Sequence, residues 1–314
     1  MAPFTWRKVA SVAAIAALVS VGLTACNRDS GSAGGSDRPT VVLSLSTLNN
    51  PFFIELRDGA QAEADELGVE LQITDAQNDS ATQANQLATA ATTADAVIIN
   101  AVDSDAVSSS AVALNEAGKP IVAVDRAVNG ADVASFVASD NVAGGEQAAI
   151  ALAEAIGGTG QVIVLQGVAG TSASRDRGEG FQKGLAAYPD ITVVATQTAN
   201  FDRAQALDVT TNLLQANPGV VGIFAENDEM GLGAIQALGS RAGTDVKVAA
   251  FDGTADGIAA IEAGTMTSTI AQQPAQLGSL AVQQAVKALR GEGAADEAVE
   301  VITVTADNVG DFTK

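Results

Sequence analysis

The sequence predicts an α/β fold made of parallel β-sheets with helices on both faces. Short apolar runs rich in β-branched residues recur along the chain, as is typical of strands buried on both faces. Alanine-rich segments with helical spacing separate most of these runs, and several end at a glycine, as at Gly68, Gly118, Gly157 and Gly239. This alternation favours βαβ units, and about ten such units exceed one comfortable sheet. We therefore expect two doubly wound parallel-sheet lobes, with a break near residues 138–141.

The predicted strands are short and apolar. They cover residues 40–45, 69–74, 96–99, 121–124, 133–138, 161–165, 191–195, 220–224, 246–251 and 267–271. The predicted helices carry apolar residues at helical spacing. They are a first helix that ends at residue 67, followed by 80–93, 106–117, 144–156, 175–187, 203–216, 229–238, 255–263 and 275–289.

The N-terminal residues 1–25 are predicted to be a signal peptide that is not part of the fold. Arg7 and Lys8 form its charged start, and the apolar run at 9–23 is too short to span a bilayer comfortably. No later apolar run reaches the length of a transmembrane helix. The sequence therefore predicts an exported protein.

The motif at 23–26, Leu-Thr-Ala-Cys, resembles the lipobox of bacterial lipoproteins, in which the cysteine carries lipid. Cys26 is the only cysteine of the chain, so no internal disulfide competes for it. An ordinary signal peptide with an incidental cysteine remains the alternative. Residues 26–39 are rich in Gly and Ser, which predicts a flexible tether between the outer face of the cell membrane and the folded body.

The composition excludes several classes of function. A net charge of −21 repels phosphate backbones, so we expect no nucleic-acid partner. The chain has no histidine, which removes the commonest general base and the usual zinc sites. Carboxylate-only hydrolysis stays open. No Walker loop is present and no acidic loop has EF-hand spacing, so we expect no metal and no cofactor.

The turn after the first predicted strand carries an unusual set of residues. Residues 46–53 read Ser-Thr-Leu-Asn-Asn-Pro-Phe-Phe, which places Asn50, Phe52 and Phe53 between a strand and a helix. Ligands bind at this carboxyl edge in open α/β sheets. One ring can face the core while the other covers a ligand. The alternative is that both rings belong to the core.

Polar side chains recur where other predicted strands end. They are Asn100, Asp125, Arg126, Asn227, Asp252 and Gln272. Each alone is weak evidence, because an Asp or Asn after a strand is more often a helix cap or a turn residue. Their repetition at one sheet edge indicates a ligand site.

This mixture of groups suits a neutral polyol, whose hydroxyls donate to carboxylates, accept from arginines and do both with amides. Aromatic rings can cover the C–H faces of a sugar. The phenylalanines near predicted strand ends are Phe52, Phe53, Phe201 and Phe251. Because a dry site needs partners for buried charges, we expect Asp125 and Asp252 to pair with Arg126 and Arg177.

Eight ordered motifs across about residues 40 to 300 resemble the D-ribose-binding members of the type I periplasmic sugar-binding proteins, which are subunits of ABC importers. The motifs are 46–53, 103–106 (Asp-Ser-Asp-Ala), 138–141 (Ala-Ser-Asp-Asn), 170–173 (Gly-Thr-Ser-Ala), 177–181 (Arg-Gly-Glu-Gly-Phe), 200–203 (Asn-Phe-Asp-Arg), 227–230 (Asn-Asp-Glu-Met) and 251–254 (Phe-Asp-Gly-Thr). The segment after residue 301 matches poorly.

The resemblance implies a closed sugar site between the lobes, with D-ribose as the ligand and ABC permease subunits as partners of a monomeric receptor that is not an enzyme. Phe53 and Phe201 would stack on the sugar ring, and Phe52 would help to close the site. The implied ligand-binding residues are Asn50, Phe52, Phe53, Asn100, Asp125, Arg126, Arg177, Phe201, Asn227, Phe251, Asp252 and Gln272.

The resemblance also implies a three-strand hinge with crossovers near residues 140, 272 and 301. The N-terminal lobe would then comprise 40–140 and 273–301, and the C-terminal lobe 141–272 and 302–314.

Three alternatives stay open. The ligand can be another monosaccharide, such as allose or another pentose, or a furanosyl-like signal molecule. An exported carbohydrate enzyme could use Asp125 and Asp252 as paired carboxylates. The effector core of a transcription repressor shares the fold, but it needs an N-terminal helix-turn-helix where this chain has a lipobox.

Overall fold

The structure is a computed structural model, and it describes residues 38–313. The predicted signal peptide, Cys26 and nearly all of the predicted tether lie outside the described residues. The strands are β1 (Thr40–Leu45), β2 (Glu70–Asp75), β3 (Ala96–Ile99), β4 (Ile121–Val124), β5 (Ser135–Ser139), β6 (Thr159–Gln166), β7 (Asp190–Thr198), β8 (Val220–Ala225), β9 (Lys247–Asp252), β10 (Ser268–Ala271), β11 (Glu297–Val299) and β12 (Ile302–Thr305).

Helices connect most of the strands. They are α1 (Pro51–Leu67), α2 (Ser80–Thr93), α3 (Ser108–Glu116), α4 (Asn141–Ala155), α5 (Ser172–Leu185), α6 (Arg203–Ala216), α7 (Asp228–Leu238), α8 (Ala255–Glu262) and α9 (Pro274–Leu289). None of the helices within residues 38–313 combines the length and the apolar character that crossing a bilayer requires.

The strands form two sheets, which confirms the predicted class of two doubly wound lobes. The first sheet has the order β11-β5-β4-β3-β1-β2, and the second has the order β12-β10-β9-β8-β6-β7. Every pairing in the first sheet is parallel. Helices cover both faces of each sheet, so the central strands are buried on both sides and read as continuous apolar runs.

The chain passes between the sheets three times. After β5 it enters α4, which packs against β9 and β10 of the second sheet. After β10 it returns through α9, which packs against α1 and β5 of the first sheet. The last passage joins β11 directly to β12.

The C-terminal strands β11 and β12 are absent from the sequence prediction, and β12 is antiparallel to β10. The direction follows from the topology. Parallel strands of both sheets end at the cleft between them, so a chain that leaves the first sheet there enters the second sheet from its carboxyl edge. It must then run against its neighbours, because the connection is too short for a crossover.

Close helix packing holds α9 on the first lobe. A Cβ atom on Gly278 of α9 would lie 2.0 Å from the carbonyl oxygen of Leu56, and one on Gly59 of α1 would lie 2.1 Å from that of Ala275. Only glycine permits this approach of two backbones. The returning helix is therefore an integral part of the first lobe's core, where it buries Leu277.

Candidate functional site

The carboxyl ends of strands from both sheets surround a small, partly enclosed cavity. The lining residues are Asn50, Phe52, Phe53, Asp125, Arg126, Ala173, Arg177, Phe201, Asn227, Asp252 and Gln272.

Two of the predicted site residues, Asn100 and Phe251, do not line this cavity and instead support residues that do. Asn100 donates from Nδ2 to Asp125 Oδ2 at 3.0 Å and accepts from the Ser46 hydroxyl at 2.6 Å. The Phe251 ring lies under Arg177, with its centroid 3.9 Å from the guanidinium carbon. The other ten predicted residues lie together around the cavity.

Asn50 and Asn227 are helix N-caps as well as lining residues. Asn50 Oδ1 accepts from the Phe52 N–H at 2.9 Å, and Asn227 Oδ1 accepts from the Met230 N–H at 3.0 Å. Capping uses each amide oxygen and leaves N–H donors on Nδ2, although Asn227 Nδ2 also donates to the Phe201 carbonyl at 3.5 Å. Capping and ligand binding are therefore compatible at both positions.

Phe52 and Phe53 are both buried in the core of the first lobe, and both also line the cavity. Phe52 and Phe53 meet edge to face with their centroids 5.1 Å apart. The core alternative is thus correct for the packing of both rings, and it does not exclude a ligand contact.

Phe53 and Phe201 line the cavity from the two lobes. Arg126 is near both rings, with its guanidinium carbon 5.3 Å from the Phe53 centroid and 5.5 Å from the Phe201 centroid. The backbone of Phe201 has φ 58°, a left-handed conformation that is strained for a bulky residue. Its ring covers Gly167, where a Cβ atom would lie 2.0 Å from Cζ. The missing side chain at Gly167 therefore creates the space in which the Phe201 ring sits.

Left-handed backbone also occurs at both cavity carboxylates, Asp125 with φ 63° and Asp252 with φ 120°. Such conformations cost about 1–3 kcal/mol each and concentrate at functional sites. Here they end a strand and turn its last carboxylate into the cleft.

The expected charge pairs are both present and buried. Arg126 Nε lies 3.6 Å from Asp125 Oδ2, and Arg177 Nη1 lies 3.6 Å from Asp252 Oδ1. Each guanidinium is also fixed by carbonyl groups: Arg126 donates to Ala101 at 3.0 Å. Arg177 Nη1 donates to the carbonyl of Glu226 at 2.7 Å, while its Nε donates to Asn141 Oδ1 at 2.8 Å.

Burial shifts the pKa values of these groups towards their neutral forms. Loss of solvent raises the pKa of Asp125 above its ordinary value, against the opposing charges of Arg126 and Arg177. Loss of solvent also raises the pKa of Asp252, assisted by the nearby carboxylate of Asp228 and opposed by Arg177. The Arg126 pKa is lowered by the same burial. Hydrogen bonds from a ligand to these charged groups would offset part of their desolvation cost.

Two buried polar atoms at the cavity have no hydrogen-bond partner within residues 38–313: the donor Arg126 Nε and the acceptor Gln272 Oε1. Gln272 uses its Nε2 to donate to Asp252 Oδ1 at 2.7 Å. A buried donor and a buried acceptor left open on one cavity fit a ligand that both donates and accepts, as hydroxyl groups do.

The two lobes touch beside the cavity. The Ser172 N–H donates to the Ser104 hydroxyl at 3.2 Å, and the Ser172 hydroxyl accepts from the Ala127 N–H at 2.9 Å. The Ser104 N–H donates to the carbonyl of Gly170 at 3.1 Å. These contacts cross from β3 and β4 loops of the first lobe to the start of α5, so the structure represents a closed arrangement.

Three residues of the site are absent from the sequence prediction. Ala173 lines the cavity, Asn141 orients Arg177, and Glu226 accepts a hydrogen bond from Arg177 through its carbonyl. Ala173 and Asn141 lie in two of the sequence motifs, at 170–173 and 138–141. Their residue types alone do not indicate whether the side chain points towards the cavity. Within the described part of the chain, no group of three or more Asp, Glu, His or Cys side chains could hold a metal ion.

Comparison with known proteins bears on this geometry. Residues 41–293, which make up most of the chain, match the family model of the periplasmic binding protein domain. The chain belongs to the periplasmic binding protein family. It is 46% identical over 262 residues to the ribose import binding protein RbsB of Salmonella typhimurium, covering 83% of this chain and 88% of that protein. It is 41% identical over 277 residues to RbsB of Bacillus subtilis, covering 86% and 90%.

A solved structure extends the comparison to three dimensions. The myo-inositol binding protein of Caulobacter, bound to myo-inositol, superposes with a TM-score of 0.84 at 34% identity, covering 90% of this chain and 98% of that chain. The fold of this chain therefore also occurs in a protein that binds myo-inositol.

Proposed function

We propose that this protein is the substrate-binding subunit of an ABC sugar importer and that its ligand is D-ribose. The observation that carries the proposal is the cavity, in which buried carboxylates, arginines and amides from two lobes face phenylalanine rings. The names of the relatives from Salmonella typhimurium and Bacillus subtilis support ribose in particular.

In this proposal the sugar lies between Phe53 and Phe201, whose rings cover its C–H faces. Asp125 and Asp252 accept from its hydroxyls, and Arg126 and Arg177 donate to them, so that each buried charge gains a partner. The twelve residues expected from the sequence act together in this arrangement, with Asn100 and Phe251 holding Asp125 and Arg177 from behind.

Binding and lobe closure are coupled. The first lobe comprises residues 40–140 and 273–301, the second 141–272 and 302–314, and the three crossovers between them act as the hinge. A sugar that contacts both lobes binds the closed form more tightly than the open form, so it shifts the equilibrium towards closure. The permease then recognises the closed receptor. The chain binds sugar without chemical turnover.

Family membership implies an extracytoplasmic location. We further propose that lipid on Cys26 anchors the protein to the outer face of the cell membrane and that residues 26–39 act as its tether. The receptor works as a monomer, because both halves of the site come from one chain.

Calorimetric titration of the purified protein with a panel of pentoses and hexoses tests the ligand. We expect one site with a micromolar or lower Kd for D-ribose, which is about −8 kcal/mol or better. Tighter binding of allose, another pentose, myo-inositol or a furanosyl-like molecule would keep the class of receptor and replace the ligand. Chemical conversion of the bound sugar would contradict the assignment as a receptor.

A further inference from the structure

Glu226 is a fully buried carboxyl group behind the cavity. It follows β8 and precedes Asn227, the cap of α7, and it has no exposed surface. It does not line the cavity, so the proposed sugar contacts make no use of it. Burying a carboxyl group costs free energy unless its oxygens find partners, so the contacts of Glu226 need to be explained.

The contacts of Glu226 join three parts of the sugar site. Its Oε2 accepts from the Gly167 N–H at 2.7 Å, and Gly167 is the surface beneath the Phe201 ring. The same oxygen pairs with the hydroxyl of Ser174, in the first turn of the helix that carries Arg177. Its backbone carbonyl accepts from Arg177 Nη1 at 2.7 Å. One residue thus fixes the aromatic platform, the helix start and the guanidinium.

The second carboxyl oxygen is left open. Glu226 Oε1 is buried and has no hydrogen-bond partner within residues 38–313. It faces Gly178 of α5, where a Cβ atom would lie 3.2 Å away. An unpaired buried oxygen is far less costly when the acid is neutral than when it carries charge. In the neutral form Oε2 can donate its proton to the Ser174 hydroxyl and still accept from Gly167.

We propose that Glu226 is a positioning residue that, as a neutral acid, holds Phe201 and Arg177 in the sugar-binding geometry, and that its ionisation weakens sugar binding. This inference rests on the proposed function. The positioning role follows from the hydrogen bonds, and the direction of the pH effect follows from the charges around the group.

Burial raises the pKa of Glu226 to about 7, against the hydrogen bonds from Ser174 and Gly167 and the charge of Arg177. Arg177 on α5 is the cation that faces it. The two other acids nearby are turned elsewhere: the Asp228 carboxyl accepts from Thr254 and Thr269, and Asp252 pairs with Arg177. An ionised Glu226 would therefore compete with Asp252 for Arg177.

Sugar binding and protonation of Glu226 are linked. Because the neutral acid holds Phe201 and Arg177 in place while the ionised acid competes for Arg177, the sugar-bound state binds the proton more tightly than the free state. Sugar affinity is then highest at low pH and falls as pH rises through about 7. Each unit by which sugar binding raises the pKa of Glu226 lowers the affinity by up to about tenfold above that range.

The test is the Kd for D-ribose of the full chain between pH 5 and 8, with proton uptake measured in buffers of different ionisation enthalpy. We expect the wild type to take up protons on binding near pH 7 and to bind several-fold more weakly at pH 8 than at pH 6. Asp252 contacts the sugar and burial raises its pKa to about 8, so the part due to Glu226 is the difference between the wild type and Glu226→Gln. Glu226→Gln, which keeps the shape and cannot ionise, binds more tightly than the wild type at pH 8 and takes up fewer protons. Glu226→Ala weakens binding at both pH values because the side-chain hydrogen bonds to Gly167 and Ser174 are lost.

Glu262→Gln is the control for the loss of one carboxylate, because Glu262 is an exposed acid at the end of α8 and does not line the cavity. It keeps the pH step. If the wild type binds ribose without proton uptake, or if Glu226→Gln keeps the full pH step, the inference is wrong while the proposed function stands. If the wild type binds no sugar at any pH, the proposed function fails first.

Discussion

Replacing Gly167 by alanine tests whether the Phe201 ring is a ligand platform. The backbone of Gly167 has no left-handed φ, so alanine fits its conformation. The new Cβ atom would lie 2.0, 2.2 and 2.4 Å from three atoms of the Phe201 ring. Carbon atoms need about 3.5–4.0 Å, so the ring must move by about 1.5 Å.

Phe201 lines the sugar cavity and also a neighbouring groove formed with Val168 and Asn200. A ring pushed off Gly167 either enters the space of the sugar or leaves its place against it. Loss of an aromatic contact and its apolar area costs roughly 1.5–3 kcal/mol. We expect Gly167→Ala to bind D-ribose about 10- to 150-fold more weakly, while thermal unfolding of the ligand-free protein changes little.

Calorimetry of four proteins completes the experiment: the wild type, Gly167→Ala, Phe201→Ala and the double variant. If the glycine acts through the ring, Gly167→Ala has no further effect once Phe201 is alanine. Gly293→Ala is the matched control, because nothing lies within 4 Å of a Cβ atom there. Unchanged affinity in Gly167→Ala, or full additivity in the double variant, would refute the reasoning.

Three further results are expected. Arg177→Lys removes the guanidinium that donates to both Asn141 Oδ1 and the Glu226 carbonyl. Calorimetry should then find ribose binding weaker by about 30-fold or more. Equal affinity would show that the guanidinium geometry is not needed for binding. Ser172→Ala removes the 2.9 Å hydrogen bond that the Ser172 hydroxyl accepts from the Ala127 N–H across the lobes. Because such a bond contributes about 1 kcal/mol, the Kd should rise roughly fivefold through faster release of the sugar, measured by stopped flow. Slower release would contradict the role of this contact in the closed form. The pKa of Glu226 rises from 4.5 to about 7 on folding, so its contribution to stability is present below pH 4.5 and is lost as pH rises through 7. Relative to Glu226→Gln, the free energy of unfolding of the wild type should fall by about 3 kcal/mol across that pH range. Denaturation profiles that stay parallel for the two proteins would show that the pKa of Glu226 is not raised.

Much of the fold was predictable from the sequence because buried parallel strands and their helices leave clear local patterns. Predicted helices 80–93 and 203–216 agree with α2 and α6 to the residue, where an aspartate caps each start. The prediction began α5 too late, at 175, because Ser172 is poorly distinguished from the preceding loop by composition; the cap is Thr171. The strands β11 and β12 escaped prediction because each is very short and gains its stability from pairing with distant strands.

The candidate site was predictable in part for a different reason. Topology places every parallel strand's end at the cleft, so polar residues there, such as Asp125 and Asp252, converge in space although they are distant in sequence. Which residue contacts the cavity and which supports it depends on side-chain direction, and this separates Asp125 from Asn100. Glu226 was beyond prediction because its role arises from three tertiary contacts that leave no local pattern.

A crystal structure of the protein with D-ribose tests the central claim most directly. The account predicts one sugar molecule between the Phe53 and Phe201 rings, with hydroxyl oxygens within about 2.7–3.2 Å of Asp125, Asp252 and the open Oε1 of Gln272. A sugar bound elsewhere on the surface, or a cleft that stays empty at saturating ribose, would contradict it.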